Sequence, residues 1–212
     1  MQISKIALIA LASLGLVASG AIARQYRHYP MDHMPMSGDS VHHGRMHHGR
    51  MHHGGMMHDM HVESEFEYLS HMIPHHQEAI DTAQIILERS DRPAMQAFAQ
   101  EIIAVQTAEI ERMETWLSQW YPSQTADYSY TPMMRDLSNL QGDELDRVFL
   151  EDMIMHHMGA VMMSQMLLNR NLIEHEPVRP FAQTIASTQR QEIHQMRAWL
   201  QDWFGASTIP NG

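Results

Sequence analysis

The chain has 212 residues, with 14 Lys and Arg against 25 Asp and Glu and a formal net charge of −11. Lys5 is its single lysine and no basic stripe could neutralise phosphates, which excludes a nucleic-acid binder. Cysteine is absent, which excludes a disulfide scaffold, a thiolate metal centre and a blue-copper His/Cys set.

Residues 1–23 read as a secretory signal. Lys5 supplies the positive start, an apolar run extends from Ile6 to Val17, and Ala21-Ile22-Ala23 forms a small-residue cleavage site. The run is short for a membrane span, so the expected mature form begins after Ala23, carries no stable membrane span and is periplasmic or secreted. An uncleaved anchor is the alternative; either way the remaining chain lies outside the cytoplasm.

Residues 24–61 form a Gly/His/Met-rich segment expected to be disordered without metal. Between Met31 and His61 more than half of the residues are Met or His. The string HHGRM occurs at His42–Met46 and His47–Met51, and again at His52–Met56 with Gly55 in place of Arg. Thioether sulfur prefers Cu(I) and Ag(I), and imidazole also takes Cu(II), so interleaving them suits copper, an ion that changes oxidation state. Thioethers also avoid the disulfide chemistry of thiols in an oxidising compartment. The tail ligand candidates are His42, His43, Met46, His47, His48, Met51, His52, His53 and Met56. A neutral, solvated spacer is the competing reading, but it would not keep this string in register three times.

Residues 62–205 predict an all-α four-helix bundle made of two duplicated antiparallel helical hairpins, 62–122 and 144–205, joined by a Pro- and Tyr-containing connection over 121–143. The predicted helices run over about 63–88, 93–120, 143–169 and 176–203. Asp91 is the expected N-cap of the second helix, with Pro93 in its first turn, and Gly205 is the expected stop of the fourth. Pro74 should kink the first helix by removing the bond to the Ser70 carbonyl. The halves are copies: Met72-Ile73-Pro74-His75-His76 aligns with Met153-Ile154-Met155-His156-His157, and Gln106, Glu109, Ile110, Met113, Trp116, Leu117 and Trp120 align with Gln189, Glu192, Ile193, Met196, Trp199, Leu200 and Trp203. The tryptophans are expected to close one end of the bundle.

The chemistry concentrates where the copies agree. Met72 lies three and four residues before His75 and His76, and Met153 stands likewise before His156 and His157, so each set offers sulfur and nitrogen from adjacent turns of one helix. A hairpin turning near residue 90 puts Met72 level with Glu109 and His76 level with Val105 and Gln106. Glu and Gln on an apolar stripe need partners, because burying them unpaired costs roughly 1–3 kcal/mol. Histidine or a bound cation could serve. The bundle candidates are therefore Met72, His75, His76, Glu109 and Met113, with Met153, His156, His157, Glu192 and Met196 in the second half. Methionine as core filler and His–Glu contacts as structural bonds remain the plainer alternative. Met158, Met162 and Met166, extended by Met163, form a ladder that suits a soft-metal track, a core or a partner surface. His175 and His194 read as surface residues, and Tyr121, Tyr128 and Tyr130 suggest nothing specific.

The pattern Met-Ile-Pro-His-His-Gln-x-Ala-Ile at 72–80, followed by Gln-x-x-Glu-Ile-x-x-Met-x-x-Trp-Leu at 106–117, resembles domain-of-unknown-function family 305, whose members are ferritin-like helical bundles. The resemblance covers about 62–205 in two copies; the second departs at Met155 for Pro and at Met158-Gly159 for Gln-Glu. With the signal and the Met/His tail it implies an extracytoplasmic copper-resistance role, binding Cu(I), Cu(II) and silver, with a copper efflux system or copper sensor as partner. Two classes remain open: a non-catalytic copper binder, and a ferritin-like metal-dependent oxidase such as a cuprous oxidase. The di-metal enzyme needs Glu-x-x-His on two helices. No Glu-x-x-His occurs here, and His75-x-x-Glu78 has the reverse order, which favours binding.

Overall fold

The structure, a computed structural model, describes residues 61–205. The expected signal (1–23) and the tail ligands from His42 to Met56 lie outside the described residues. Four helices account for the fold, and no strand occurs among the described residues: α1 Glu65–Arg89, α2 Pro93–Trp120, α3 Gly142–Asn169 and α4 Val178–Phe204.

Each helix begins and ends for a local reason. Ser64 is in extended conformation before α1 and its Oγ accepts from the Glu67 amide at 3.1 Å, while the Glu67 carboxylate accepts from the Glu63 amide at 2.8 Å. At α2 the N-cap is Arg92 and not the expected Asp91. No side chain caps that helix; Pro93 at its start has no N–H to satisfy, and the Arg92 amide donates to Ser90 Oγ at 3.2 Å. Pro74 sits inside α1 without ending it. Gly205 closes α4 in the left-handed region at φ 60°, as the sequence suggests.

The helices α1 and α2 form one hairpin, α3 and α4 the other, and α1 packs on α3. Two buried clusters set the directions. One joins Ala83 and Ile86 near the end of α1 to Phe98 early in α2, Leu145 and Phe149 early in α3, and Met196 late in α4. The other joins Tyr68 and Leu69 early in α1 to Leu117 late in α2, Leu167 late in α3 and Phe181 early in α4. Thus α1 is antiparallel to both α2 and α3, and α2 is parallel to α3. The connection over 121–141 must therefore travel the length of the bundle.

This arrangement corrects the expectation for the tryptophans. Trp116 and Trp120 pack with the Tyr68 cluster, and Trp199 and Trp203 with the Phe149 cluster, so the pairs close opposite ends. Two copies related by a pseudo-twofold axis put equivalent residues at opposite poles.

Candidate metal site

The centre of the bundle is a seam between α1 and α3 where the two copies of the His-His pair meet. The rings of His75 and His156 stack with centroids 3.7 Å apart and planes at 29°. His75 Nε2 lies 3.1 Å from the His156 carbonyl oxygen, and His156 Nε2 lies 3.0 Å from that of His75. A carbonyl can only accept, so each Nε2 carries the proton and donates. Burial holds the His75 pKa well below the ordinary value, and His156, His76 and His157 push it the same way. Burial lowers His156 too, opposed in part by Glu78, whose Oε2 lies 3.4 Å from His156 Nε2. Both rings are therefore neutral at pH 7, each with a bare lone pair on Nδ1.

The second histidine of each pair turns the other way. His76 Nε2 lies 2.8 Å from Glu109 Oε2, and His157 Nε2 lies 2.8 Å from Glu192 Oε2. All four imidazoles are buried, and none of their Nδ1 atoms has a hydrogen-bond partner. A turn centred near 90 sets His76 level with Val105 and Gln106; the observed partner is Glu109, one turn further along α2, because the glutamate side chain spans the offset.

The thioethers are buried as well. Met72 and Met113 are fully buried in the Tyr68 cluster, and Met153 and Met196 in the Phe149 cluster. The structure thus sorts the ten candidates into two buried methionines and a His–Glu pair in each half, with His75 and His156 stacked between the halves. Glu109 and Glu192, each 15% exposed, lie at the rim while the methionines lie in the core. Among the described residues no three His, Asp or Glu side chains converge closely enough to hold a metal ion. The methionine ladder on α3 divides: Met158 and Met162 are exposed together with Met155, whereas Met163 is core and Met166 packs against it.

Several functional-looking contacts escape the sequence. Glu78 accepts from Tyr130 Oη at 2.7 Å and from the Met133 and Met134 amides at 2.8 and 3.0 Å, pinning the long connection to α1. Burial would push the Glu78 carboxyl up, but hydrogen bonds from His156, Met134 and Tyr130 outweigh it and hold the pKa below the usual value. His175 is half-buried, not a surface residue: its ring stacks on Trp120 with centroids 4.1 Å apart, and its Nδ1 lies 2.8 Å from the fully buried Glu65. Tyr121 donates to the same carboxylate at 3.1 Å. His194 is exposed, as expected.

The profile described as "Domain of unknown function (DUF305)" matches residues 65–200. Among solved structures, CopM in the Cu(I)-bound form is 33% identical, with a TM-score of 0.61, over 68% of this chain and 100% of that chain. CopM in a Ag-bound form is 33% identical with a TM-score of 0.60 over the same shares. A DUF305 fragment from Deinococcus radiodurans is 31% identical with a TM-score of 0.59, over 66% of this chain and 97% of that one. No curated protein matches the chain. Four helices in the same arrangement, and a family profile spanning nearly all of them, lead to one assignment: the chain belongs to the DUF305 family.

Proposed function

We propose that this protein binds copper outside the cytoplasm, as Cu(I) and Cu(II) with Ag(I) as a surrogate, and so contributes to copper resistance and homeostasis. The observation that carries the reading is the duplicated Met/His set within a chain 33% identical to CopM, whose structures include Cu(I)-, Cu(II)- and Ag-bound forms. The donor chemistry fits. In each half a histidine Nε2 pairs with a glutamate and its buried Nδ1 has no hydrogen-bond partner, in His76 with Glu109 and in His157 with Glu192. A carboxylate behind an imidazole is the usual support of a ligating histidine. Met72 and Met153 stand one turn earlier on the same helices and would supply the sulfur.

The role is sequestration or carriage without catalysis, and the protein is periplasmic or secreted. The Met/His repeats of residues 42–56 load further ions, and an efflux system or sensor receives them. The test is competition against a Cu(I) chelator. Replacing Met72, His75 and His76 together should remove a high-affinity Cu(I) site, and unchanged affinity would move the site elsewhere. Steady oxygen consumption with turnover of Cu(I) to Cu(II) would overturn the non-catalytic reading.

A further inference from the structure

The helices α2 and α4 leave a cleft between them, lined by Ile102, Val105, Gln106 and Glu109 from α2 and by Ile185, Thr188, Gln189 and Glu192 from α4. The lining consists of four residues and their four repeat equivalents, with Glu109 level with Gln189 and Glu192 level with Gln106, so the cleft straddles the pseudo-twofold axis. Every polar group in it except the Thr188 hydroxyl belongs to a carboxylate or a carboxamide. Glu109 and Glu192 each commit Oε2 to a histidine, and Oε1 of each forms no hydrogen bond. Gln106 and Gln189 are both 3% exposed, and the Oε1 atom of each is buried with no partner. Two orphaned carbonyl oxygens cost roughly 1–3 kcal/mol apiece unless something satisfies them.

We propose that this cleft is a cation site of the hard-oxygen class, taking one Ca2+ or Mn2+ ion between Glu109 and Glu192, with the amide oxygens of Gln106 and Gln189 as further ligands. Two carboxylates match a divalent charge. Carboxylate and amide oxygen are the donors that Ca2+ and Mn2+ take, whereas Cu(I) and Ag(I) want sulfur. Mg2+ is disfavoured because it sheds water reluctantly and demands a tighter octahedron. The final torsion of a glutamine is soft, so each amide can turn its oxygen to the ion without backbone movement. The bound ion would tie α2 to α4, the face of the bundle that the α1–α3 seam does not hold. The site uses neither the thioethers nor any imidazole nitrogen, but it shares Glu109 and Glu192 with the copper reading, and the Gln106 and Gln189 variants separate the two.

Mn2+ binding to the full chain, followed by the electron paramagnetic resonance signal of the free ion and by calorimetry, tests the proposal. The wild type should bind one more Mn2+ than the Glu109→Gln/Glu192→Gln double variant, and Ca2+ should displace that ion. Gln106→Leu with Gln189→Leu should weaken it at least about tenfold while Cu(I) affinity by chelator competition stays the same. Should the glutamate variants unfold by circular dichroism, Val105→Asp decides: a third carboxylate at the cleft mouth should tighten Mn2+ about tenfold. Equal Mn2+ stoichiometry in wild type and the glutamate variants, or no response to Val105→Asp, would overturn the site. Loss of Cu(I) binding alone would sink the copper reading and leave this one standing.

Discussion

His75 and His156 each donate a hydrogen bond to the other's main-chain carbonyl, at 3.1 and 3.0 Å, across the seam that joins the two halves. Both rings stay neutral in this exchange because burial disfavours the charged form. A second proton would sit on a buried Nδ1 with no acceptor beside it, and two stacked cations would repel.

Stability of the metal-free protein should therefore fall in mild acid. Both histidines have folded-state pKa values below the ordinary 6.5. Between the folded and unfolded values the unfolded chain holds more protons, so stability rises with pH through that window. It is fully present above about pH 6.5 and is lost as pH drops toward the folded values. Urea unfolding at about pH 5.5 should show a loss of about 1–3 kcal/mol relative to pH 7.5. Replacing both histidines by glutamine should flatten that dependence; a profile already flat in the wild type would contradict the neutral pair.

Glu78 is one anchor of the long connection, beside Arg89, which donates to the Ser138 carbonyl, and Asp152, which accepts from the Arg135 amide. Glu78 accepts from Tyr130, Met133 and Met134. Glu78→Ala should cost about 2–4 kcal/mol by leaving buried donors unpaired. Amide exchange at Met133 and Met134 should accelerate more than exchange in the helices. Uniform acceleration across the molecule would mean that the connection is held by something else.

Why the helices were legible and these contacts were not follows from the physics. The 3.6-residue apolar period, Pro93 at a helix start and Gly205 at a helix end are local signals, and they put the observed bounds within about two residues of those expected. The Met/His and Gln/Glu placements were visible because the repeat shows them twice. Which residue meets which across the axis was not visible. It depends on α1 running antiparallel to α3, and that sets His75 on His156 and sends the tryptophan pairs to opposite poles. Asp91 misled as a cap because it lies one residue before the observed N-cap, Arg92. Glu65, Glu78 and His175 carried no signal, since each finds its partner on a distant segment.

The two poles are built on one plan with different donors. Glu65 and Asp146 are repeat equivalents; Glu65 meets His175 beside Trp120, and Asp146 meets Arg92 at 2.8 Å with the guanidinium 5.0 Å from the Trp203 ring. His175→Ala should cost about 1–3 kcal/mol, because buried Glu65 loses a donor while keeping the Glu174 amide, the residue 175 amide and Tyr121. His175→Arg should recover most of that loss in thermal denaturation, since arginine already does this work at the other pole. Equal destabilisation by both substitutions would break the equivalence.

Removal of residues 31–61 should lower copper stoichiometry and leave the bundle folded. Among the described residues, the interactions that start the fold begin at Val62. Val62 is fully buried and its carbonyl accepts from Arg170 at 2.8 Å. Ser64 caps α1, and Glu65 reaches the turn between α3 and α4. His61 contributes only an exposed contact to Glu63, worth little in water. Helicity by circular dichroism should therefore match the intact protein per helical residue. Bound copper, counted by mass spectrometry under native conditions, should fall to what the bundle alone holds. Loss of the helical signal would show that the Met/His segment is part of the fold, and unchanged stoichiometry would show that its imidazoles and thioethers do not load copper.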